Sequence, residues 1–472
     1  MRFAWLAAVL GTGTLAYFGT GLRPIWPLLW LAPIPVLVVS TRLPGRTAAL
    51  VAFAAWFLGQ TNLAGYLFPV LPPLVALTIL ALPAVAFVAS VVMYRAGDLR
   101  GSPLPAILGF ASVWTSFELG LVLASPHGSF GSLAYTQVQA LPVIQLVSVT
   151  GVLGVSFLVL LTSATLAQAL SRRSLPAGVI GIWLTALLSS LAYGAVRLAG
   201  VFEPAGRIPV AAVSLDSTTN FFGSPRPEVV SAVVRSFETV VAAAARAGAR
   251  VVVLPEKFVT TTAAQLARTE AQLAELAGRH RVILVAGVNL LDAPNRNLAL
   301  TITPDGTIAG RYEKIRLIPG LEAGYAKGRE PGLVTSTDPG FGVAICKDLD
   351  FPRDIRRYAR ARVPFLAVPA WDFIADGPLH ARMAVVRGIE GGYSIVRAAH
   401  KGWVSISDPY GRMQWRATLP RESVMVAGTI PATAIPTLYE EAGDWFGPVP
   451  PLTVLLSIAH LLRPIGRGRR RP

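Results

Sequence analysis

The chain has 472 residues, 53% hydrophobic and 14% charged, and 42 Lys+Arg against 26 Asp+Glu give a formal net charge of +16. So small a charged fraction excludes an ordinary soluble protein, in which about a quarter of residues carry charge. The single cysteine, Cys346, excludes an internal disulfide framework.

Apolar residues are unevenly spread. Before residue 200 the only acidic residues are Asp98 and Glu118 and lysine does not occur; from Arg207 onward charge returns. The pattern predicts a transmembrane domain over 1–200, a soluble domain over 207–433, a final transmembrane helix over 447–464 and a basic tail over 465–472. About seven spans of near-membrane length fill the first part: 3–20, 25–40, 48–70, 74–93, 104–124, 141–170 and 177–198. The last helix centres on 449–462. The first span lacks a small-residue cleavage site and is followed by further spans, so it reads as a retained helix.

Arginines mark the topology. Arg2, the pairs Arg42/Arg46, Arg95/Arg100 and Arg172/Arg173, and the tail arginines all fall on one side of the expected membrane, with Arg23 and Arg197 as exceptions. Taking that side as cytoplasmic puts both ends inside and the soluble domain outside. This use of arginine accounts for much of the net charge and excludes the need for nucleic acid; the tail suits anionic lipid head groups.

Between 207 and 433, β-rich runs alternate with helical patterns. Strands are expected at 208–214, 250–254, 282–287, 342–345, 364–368, 393–399, 403–407 and 424–429, with a hairpin of 297–303 and 307–312 around Pro304-Asp305-Gly306. Helices are expected at 227–247, 262–279, 352–362 and 379–391. That alternation predicts a layered α/β domain.

Three residue types end these strands. Glu256 follows Val251–Leu254, Lys314 follows the hairpin, and Cys346 closes an apolar run before Lys347-Asp348. Lysine is rare in this arginine-rich chain, which makes Lys314 more informative than a lysine usually is. A thiol is scarcely ionised at neutral pH, so thiol chemistry needs a carboxylate to take the proton and a cation to hold an oxyanion. Free cysteine is otherwise a small buried hydrophobe, and a strand-end Glu or Lys a solvated charge. The five scattered histidines show no metal-ligand spacing, and no glycine-rich phosphate loop follows a strand.

The segments Leu254-Pro255-Glu256, Lys314 with Leu317-Ile318-Pro319 and Glu322, and Ile345-Cys346 resemble the nitrilase (carbon–nitrogen hydrolase) superfamily. His380 to Glu390, Tyr393 to Ala399 and Asp408-Pro409-Tyr410-Gly411-Arg412 are similar to that superfamily's later helix, strand and closing turn. With seven spans before and one after, the layout resembles its membrane-embedded branch, the apolipoprotein N-acyltransferases; the runs 114–118, 128–137 and 151–157 look like that branch's fifth and sixth spans.

The resemblance implies an α-β-β-α sandwich with a catalytic Glu256, Lys314 and Cys346, supported by Glu322, Asp348 and Asn297. It implies a phospholipid acyl donor, a diacylated apolipoprotein acceptor, a thioester intermediate, no cofactor and no metal, in a monomer at the bacterial inner membrane. A membrane-anchored amidase or hydrolase of the same superfamily, and a non-catalytic binding protein with the fold, are the competing readings. Departures from the family pattern are Lys347 and Asp348 after the thiol, Val213 to Thr218 in the first strand's motif, Phe221 and Phe222 for a tryptophan, and His400 for an asparagine. Glu118, inside a span, is expected to pair between helices, and His127 to sit in a simple turn.

Overall fold

The structure, a computed structural model, describes residues 3–172, 174–200, 206–215, 223–418 and 422–463. Arg2, Arg173, Asp216 to Thr218, Phe221, Phe222 and the tail 465–472 lie outside the described residues.

Apolar sequence forms helices in the first part because only intrachain bonding satisfies a backbone shielded from water. Among the described residues, five helices are long and apolar enough to cross a membrane by length and composition: 45–70, Pro73–Leu99, Pro103–Ala124, Val147–Ser171 and Ala177–Leu198. Ala4–Gly19, the 26–40 segment and Val449–Leu462 are shorter. The expected second span is broken into Trp26–Leu31 and Ile34–Ser40 by Pro33 and Pro35, which remove backbone donors. The expected sixth is two helices, Leu141–Ile144 and Val147–Ser171. Val147–Ser171 runs through the centre of the bundle, almost wholly buried. Close packing uses small residues: a Cβ on Gly59 would lie 2.5 Å from Cβ of Ala16.

Glu118 is buried and, among the described residues, pairs with no arginine. Its carboxylate accepts from Trp114 Nε1 (2.9 Å), Ser132 Oγ (2.8 Å), Ser156 Oγ (2.8 Å) and the Leu133 N–H (3.0 Å), tying a helix to the loop beyond it.

The second part is two facing sheets between helical layers. The first sheet contains β1 (Arg207–Leu215), β2 (Val251–Val253), β3 (Val259–Thr262), β4 (Ile283–Leu291), β5 (Arg296–Ile302) and β6 (Ile308–Glu313). The second contains β7 (Gly332–Val334), β8 (Phe341–Val343), β9 (Phe365–Trp371), β10 (Ser394–His400), β11 (Trp403–Ser407) and β12 (Met413–Ala417). The last strand, β13 (Ser423–Pro431), returns to pair antiparallel with β1, giving the orders β13-β1-β2-β4-β5-β6, with β3 beside β4, and β12-β11-β10-β9-β8-β7. The short strands β3, β7 and β12 were absent from the sequence reading; each is three to five residues long, too short for a periodic signal.

Period-two alternation builds the layers. Along β1, Ile208, Val210 and Ala212 face the second sheet, while Ala211 and Val213 face helices Pro227–Arg246 and Leu266–His280. On the far side, Pro352–Arg360 and Gly377–Gly391 cover the second sheet, completing an α-β-β-α sandwich.

Helix Gly377–Gly391 is buried on every side because it also packs on the membrane part. Leu379, Met383, Val386 and Ile389 meet Ala134, Tyr135, Val143 and Val152. Buried Arg382 donates to the carbonyls of Tyr135, Leu22 and Gly21 at 3.1, 3.0 and 3.1 Å, and Arg387 donates to Tyr135 Oη at 2.8 Å. These arginines dock the sandwich on the bundle, with the loops at one end of the spans as the platform.

Candidate active site

Glu256, Lys314 and Cys346 arrive from three strands at one end of the sandwich. The Glu256 N–H donates to the Ala370 carbonyl of β9 at 3.3 Å, stitching the end of β2 to the opposite sheet. The chain can turn there because Lys257 takes φ +51° and Gly287 leaves space: a Cβ on Gly287 would lie 2.3 Å from the Pro255 carbonyl oxygen and 2.6 Å from the Glu256 Cα.

Lys314 leaves β6 with its N–H donating to the Asn297 carbonyl (2.9 Å), and its side chain is wholly buried. Nζ meets Glu256 Oε1 at 2.7 Å and Glu322 Oε2 at 3.1 Å. Asn297 Nδ2 bridges the same two carboxylates, donating to Oε1 of Glu256 (2.7 Å) and of Glu322 (2.9 Å). Lys257 completes the set, 2.7 Å from Glu322 Oε1 and 4.2 Å from the Tyr325 ring centroid. Two carboxylates and two ammonium groups thus balance in a buried cluster, the condition under which buried charges persist. Burial opposes the charge on Lys314, but Glu256, Cys346 and Glu322 outweigh it and hold its pKa above the ordinary value. Burial likewise works against an ionised Glu322, yet Lys314 and Lys257 hold it well below the usual carboxylate range.

Cys346 follows β8 at φ +42°, in the left-handed region that non-glycine residues rarely occupy and that costs of order 1–3 kcal/mol. The turn is fastened by Asp348, whose Oδ2 accepts from the Ile345 N–H (2.9 Å) and Tyr312 Oη (2.6 Å) and whose Oδ1 accepts from the Arg316 N–H (2.8 Å). Cys346 Sγ lies 3.5 Å from the Trp371 carbonyl oxygen. Burial pushes the thiol pKa well up, Glu256 adds to the rise, and Lys314 opposes it. At neutral pH the sulfur therefore holds its proton and needs an acceptor. Among the described residues Glu256 Oε2 is buried with no hydrogen-bond partner, while Oε1 already has two donors.

All six residues expected from the sequence thus fall in one region: Glu256, Lys314, Glu322 and Asn297 in the charged cluster, Cys346 beside it, and Asp348 under the cysteine turn. Lys257 and Gly287 were missed. Scarcity of lysine, the signal that picked out Lys314, applies equally to Lys257; Gly287 has no local signal.

His127 sits in a turn, as expected, and Lys347 reaches it from the sandwich: the buried Lys347 Nζ lies 2.9 Å from Asp350 Oδ2 and 3.2 Å from His127 Nδ1. His127 is therefore part of the contact between the two halves, which Ser129 reinforces by donating N–H (2.9 Å) and Oγ (2.7 Å) to the Asp350 carbonyl. Nearby, Asp372, Asp376 and His380 offer ligand atoms within 4.8 Å of one another. Their carboxylates are already engaged: Asp372 by Arg397, and Asp376 by the Phe373 N–H, Tyr66 Oη and His380.

Residues 210–435 match the carbon-nitrogen hydrolase family, which defines the class of the sandwich. Residues 12–165 match the apolipoprotein N-acyltransferase N-terminal domain. The Geobacter metallireducens apolipoprotein N-acyltransferase is 27% identical over 94% of this chain and 92% of its own length. Those of Rhodopseudomonas palustris and Gloeobacter violaceus are each 26% identical, over 98% and 99% of this chain and 96% of their own. Among solved structures, an amidase from Nesterenkonia sp. aligns with 52% of this chain and 95% of its own at 19% identity, with a TM-score of 0.40. With both family segments present in this order, the chain belongs to the apolipoprotein N-acyltransferase family.

Proposed function

We propose that this protein moves an acyl chain from a phospholipid to the N-terminal amine of a diacylglyceryl-cysteine through a thioester on Cys346. Sγ attacks the ester carbonyl carbon as Glu256 Oε2 takes the thiol proton. Lys314 stabilises the resulting oxyanion. The C–O bond then breaks, Glu256 returns the proton to the glycerol oxygen, and lysophospholipid leaves. In the second half the α-amine attacks the thioester carbon, Glu256 takes an amine proton, the C–S bond breaks and the thiol is restored. Glu322, Asn297 and Asp348 hold the three reacting groups in place.

The observation that carries this reading is the unpaired, buried Oε2 of Glu256 in the cluster that also charges Lys314 and borders a protonated thiol. Positive charge between the spans supports a catalytic domain on the outer face of the bacterial cytoplasmic membrane. Placing the site at the membrane spares the enzyme from extracting acyl chains, at about 0.8 kcal/mol per exposed methylene.

The test is mass spectrometry of the purified protein after incubation with phospholipid alone. An acyl adduct on Cys346, discharged by a diacylated lipopeptide to a triacylated product, is the expected result. Release of free fatty acid only would favour a hydrolase; no adduct would remove the thioester.

A further inference from the structure

The end of β9 touches both the base and the nucleophile. The Ala370 carbonyl accepts from the Glu256 N–H at 3.3 Å, and the next carbonyl, that of Trp371, faces Cys346 Sγ at 3.5 Å. Asp372 follows at once, its N–H donating to the His400 carbonyl at 2.9 Å. Both terminal nitrogens of Arg397, from β10, donate to the Asp372 carboxylate: Nη1 to Oδ2 at 3.0 Å, and Nη2 to Oδ1. Arg397 Nη1 also donates to the Trp403 carbonyl at 3.1 Å, which fixes the fork from a second side.

The fold makes room for this pair. Side-chain exposure is 1% for Arg397 and 0% for Asp372. A Cβ on Gly402 would lie 1.8 Å from Asp372 Oδ2, and one on Gly377 would lie 3.2 Å from the same atom. A buried ion pair is a poor source of stability, because well-packed apolar side chains of similar volume often do as well or better. Its position supplies the reason that stability does not. The chain beyond it is pinned residue by residue: the Phe373 N–H donates to Asp376 Oδ1 at 2.8 Å and the Ile374 N–H to the Lys401 carbonyl at 3.0 Å. Ile374 is held there at φ +67°, a conformation that β-branched residues rarely adopt.

Charge acts alongside geometry. The charged groups acting on Cys346 are Glu256, Lys314, Asp372 and Arg397, with Asp348 beneath its turn. Asp372 favours the protonated thiol and Arg397 the thiolate, so the two oppose each other at the sulfur. Around the pair, Asp376 acts on Arg397, Asp372 and Asp350 act on His380, and Lys401 acts on His400.

We propose that Asp372 and Arg397 are positioning residues: as a rigid pair of no net charge they hold the β9 end that sets Cys346 against Glu256. The inference deepens the acyl-transfer reading and rests on it for the roles of Cys346 and Glu256.

The experiment uses the full-length protein in detergent and reads Cys346 twice by intact-mass spectrometry, as iodoacetamide alkylation over a pH series and as acyl adduct from phosphatidylethanolamine. Asp372→Asn leaves Arg397 charged and should quicken alkylation at least about threefold below the thiol pKa. Asp372→Asn/Arg397→Gln removes both charges and should bring that rate back to within about twofold of the unaltered protein. The double variant has nonetheless lost the fork, so its adduct should form about tenfold or more slowly, through kcat with donor KM little changed. A role in structure alone would move alkylation the same way in both variants. Equal alkylation rates in the two, or slower alkylation in Asp372→Asn, would therefore overturn the proposal. So would adduct formation at the original rate in the double variant. Absence of an adduct in the unaltered protein would remove the acyl-transfer reading, whereas the alkylation series would still decide the pair.

Discussion

Replacing Glu256 by Gln should move two properties of Cys346 in opposite directions. The substitution keeps an oxygen to accept from Lys314 and Asn297, now at 2.7 Å each, but removes the negative charge and the unpaired Oε2. General bases contribute about 10²–10⁴ to rate, so acyl transfer should fall by that factor, about 3–5 kcal/mol in activation free energy. The thiol should become more reactive. Glu256 raises the Cys346 pKa, so removing its negative charge lets the thiolate form at lower pH. Lys314, left with Glu322 alone, pulls the same way. Iodoacetamide alkylation of Cys346 at pH 8, timed by intact-mass spectrometry, should therefore quicken about tenfold or more while product formation collapses. Alkylation that slows or stays constant in a folded variant would show that Glu256 does not govern the sulfur, and the assignment of the base would be wrong.

Other perturbations reach the same site from behind. Gly287→Ala would drive a Cβ into the Pro255–Lys257 turn; a displacement near 1 Å costs about 100-fold in turnover, read as a fall in kcat that exceeds any change in donor KM. Asn297→Ala strips one donor from each of Glu256 and Glu322, and unfolding monitored in detergent should show a loss of about 1–3 kcal/mol. Lys347→Met leaves Asp350 buried without its cation, costing about 3–5 kcal/mol; adding Asp350→Asn should recover much of that if the pair is a docking contact between the halves. Glu322 titrates near 2 instead of 4.5. A depressed carboxylate pKa adds stability that is full above the unfolded value and disappears as pH falls toward the folded one. Between about pH 4.5 and pH 2 the native protein should lose on the order of 3 kcal/mol that Glu322→Gln does not lose.

The sequence alone put apolar helices ahead of an α/β region and marked residue types suited to thiol chemistry. Apolar runs with arginines between them form helices, and Ala177–Leu198 and the shorter Val449–Leu462 lie where hydropathy put them. Alternating strand and helix patterns set the sandwich, and residue type marked Glu256, Lys314 and Cys346, because a thiol that reacts needs a proton acceptor and a cation. Tertiary structure decided what no local pattern encodes. The distance between positions 58 residues apart, Lys314 and Glu256, follows from which strand ends meet. The direction of Lys347 depends on Asp350 and on His127 from the other half of the molecule, 220 residues away. The need for glycine at 287 exists only because the Glu256 turn crosses it. Short strands such as β7 form because neighbours offer hydrogen bonds, not because three residues prefer to be extended. Composition names the groups that can react; packing sets their neighbours, and the neighbours set their charge.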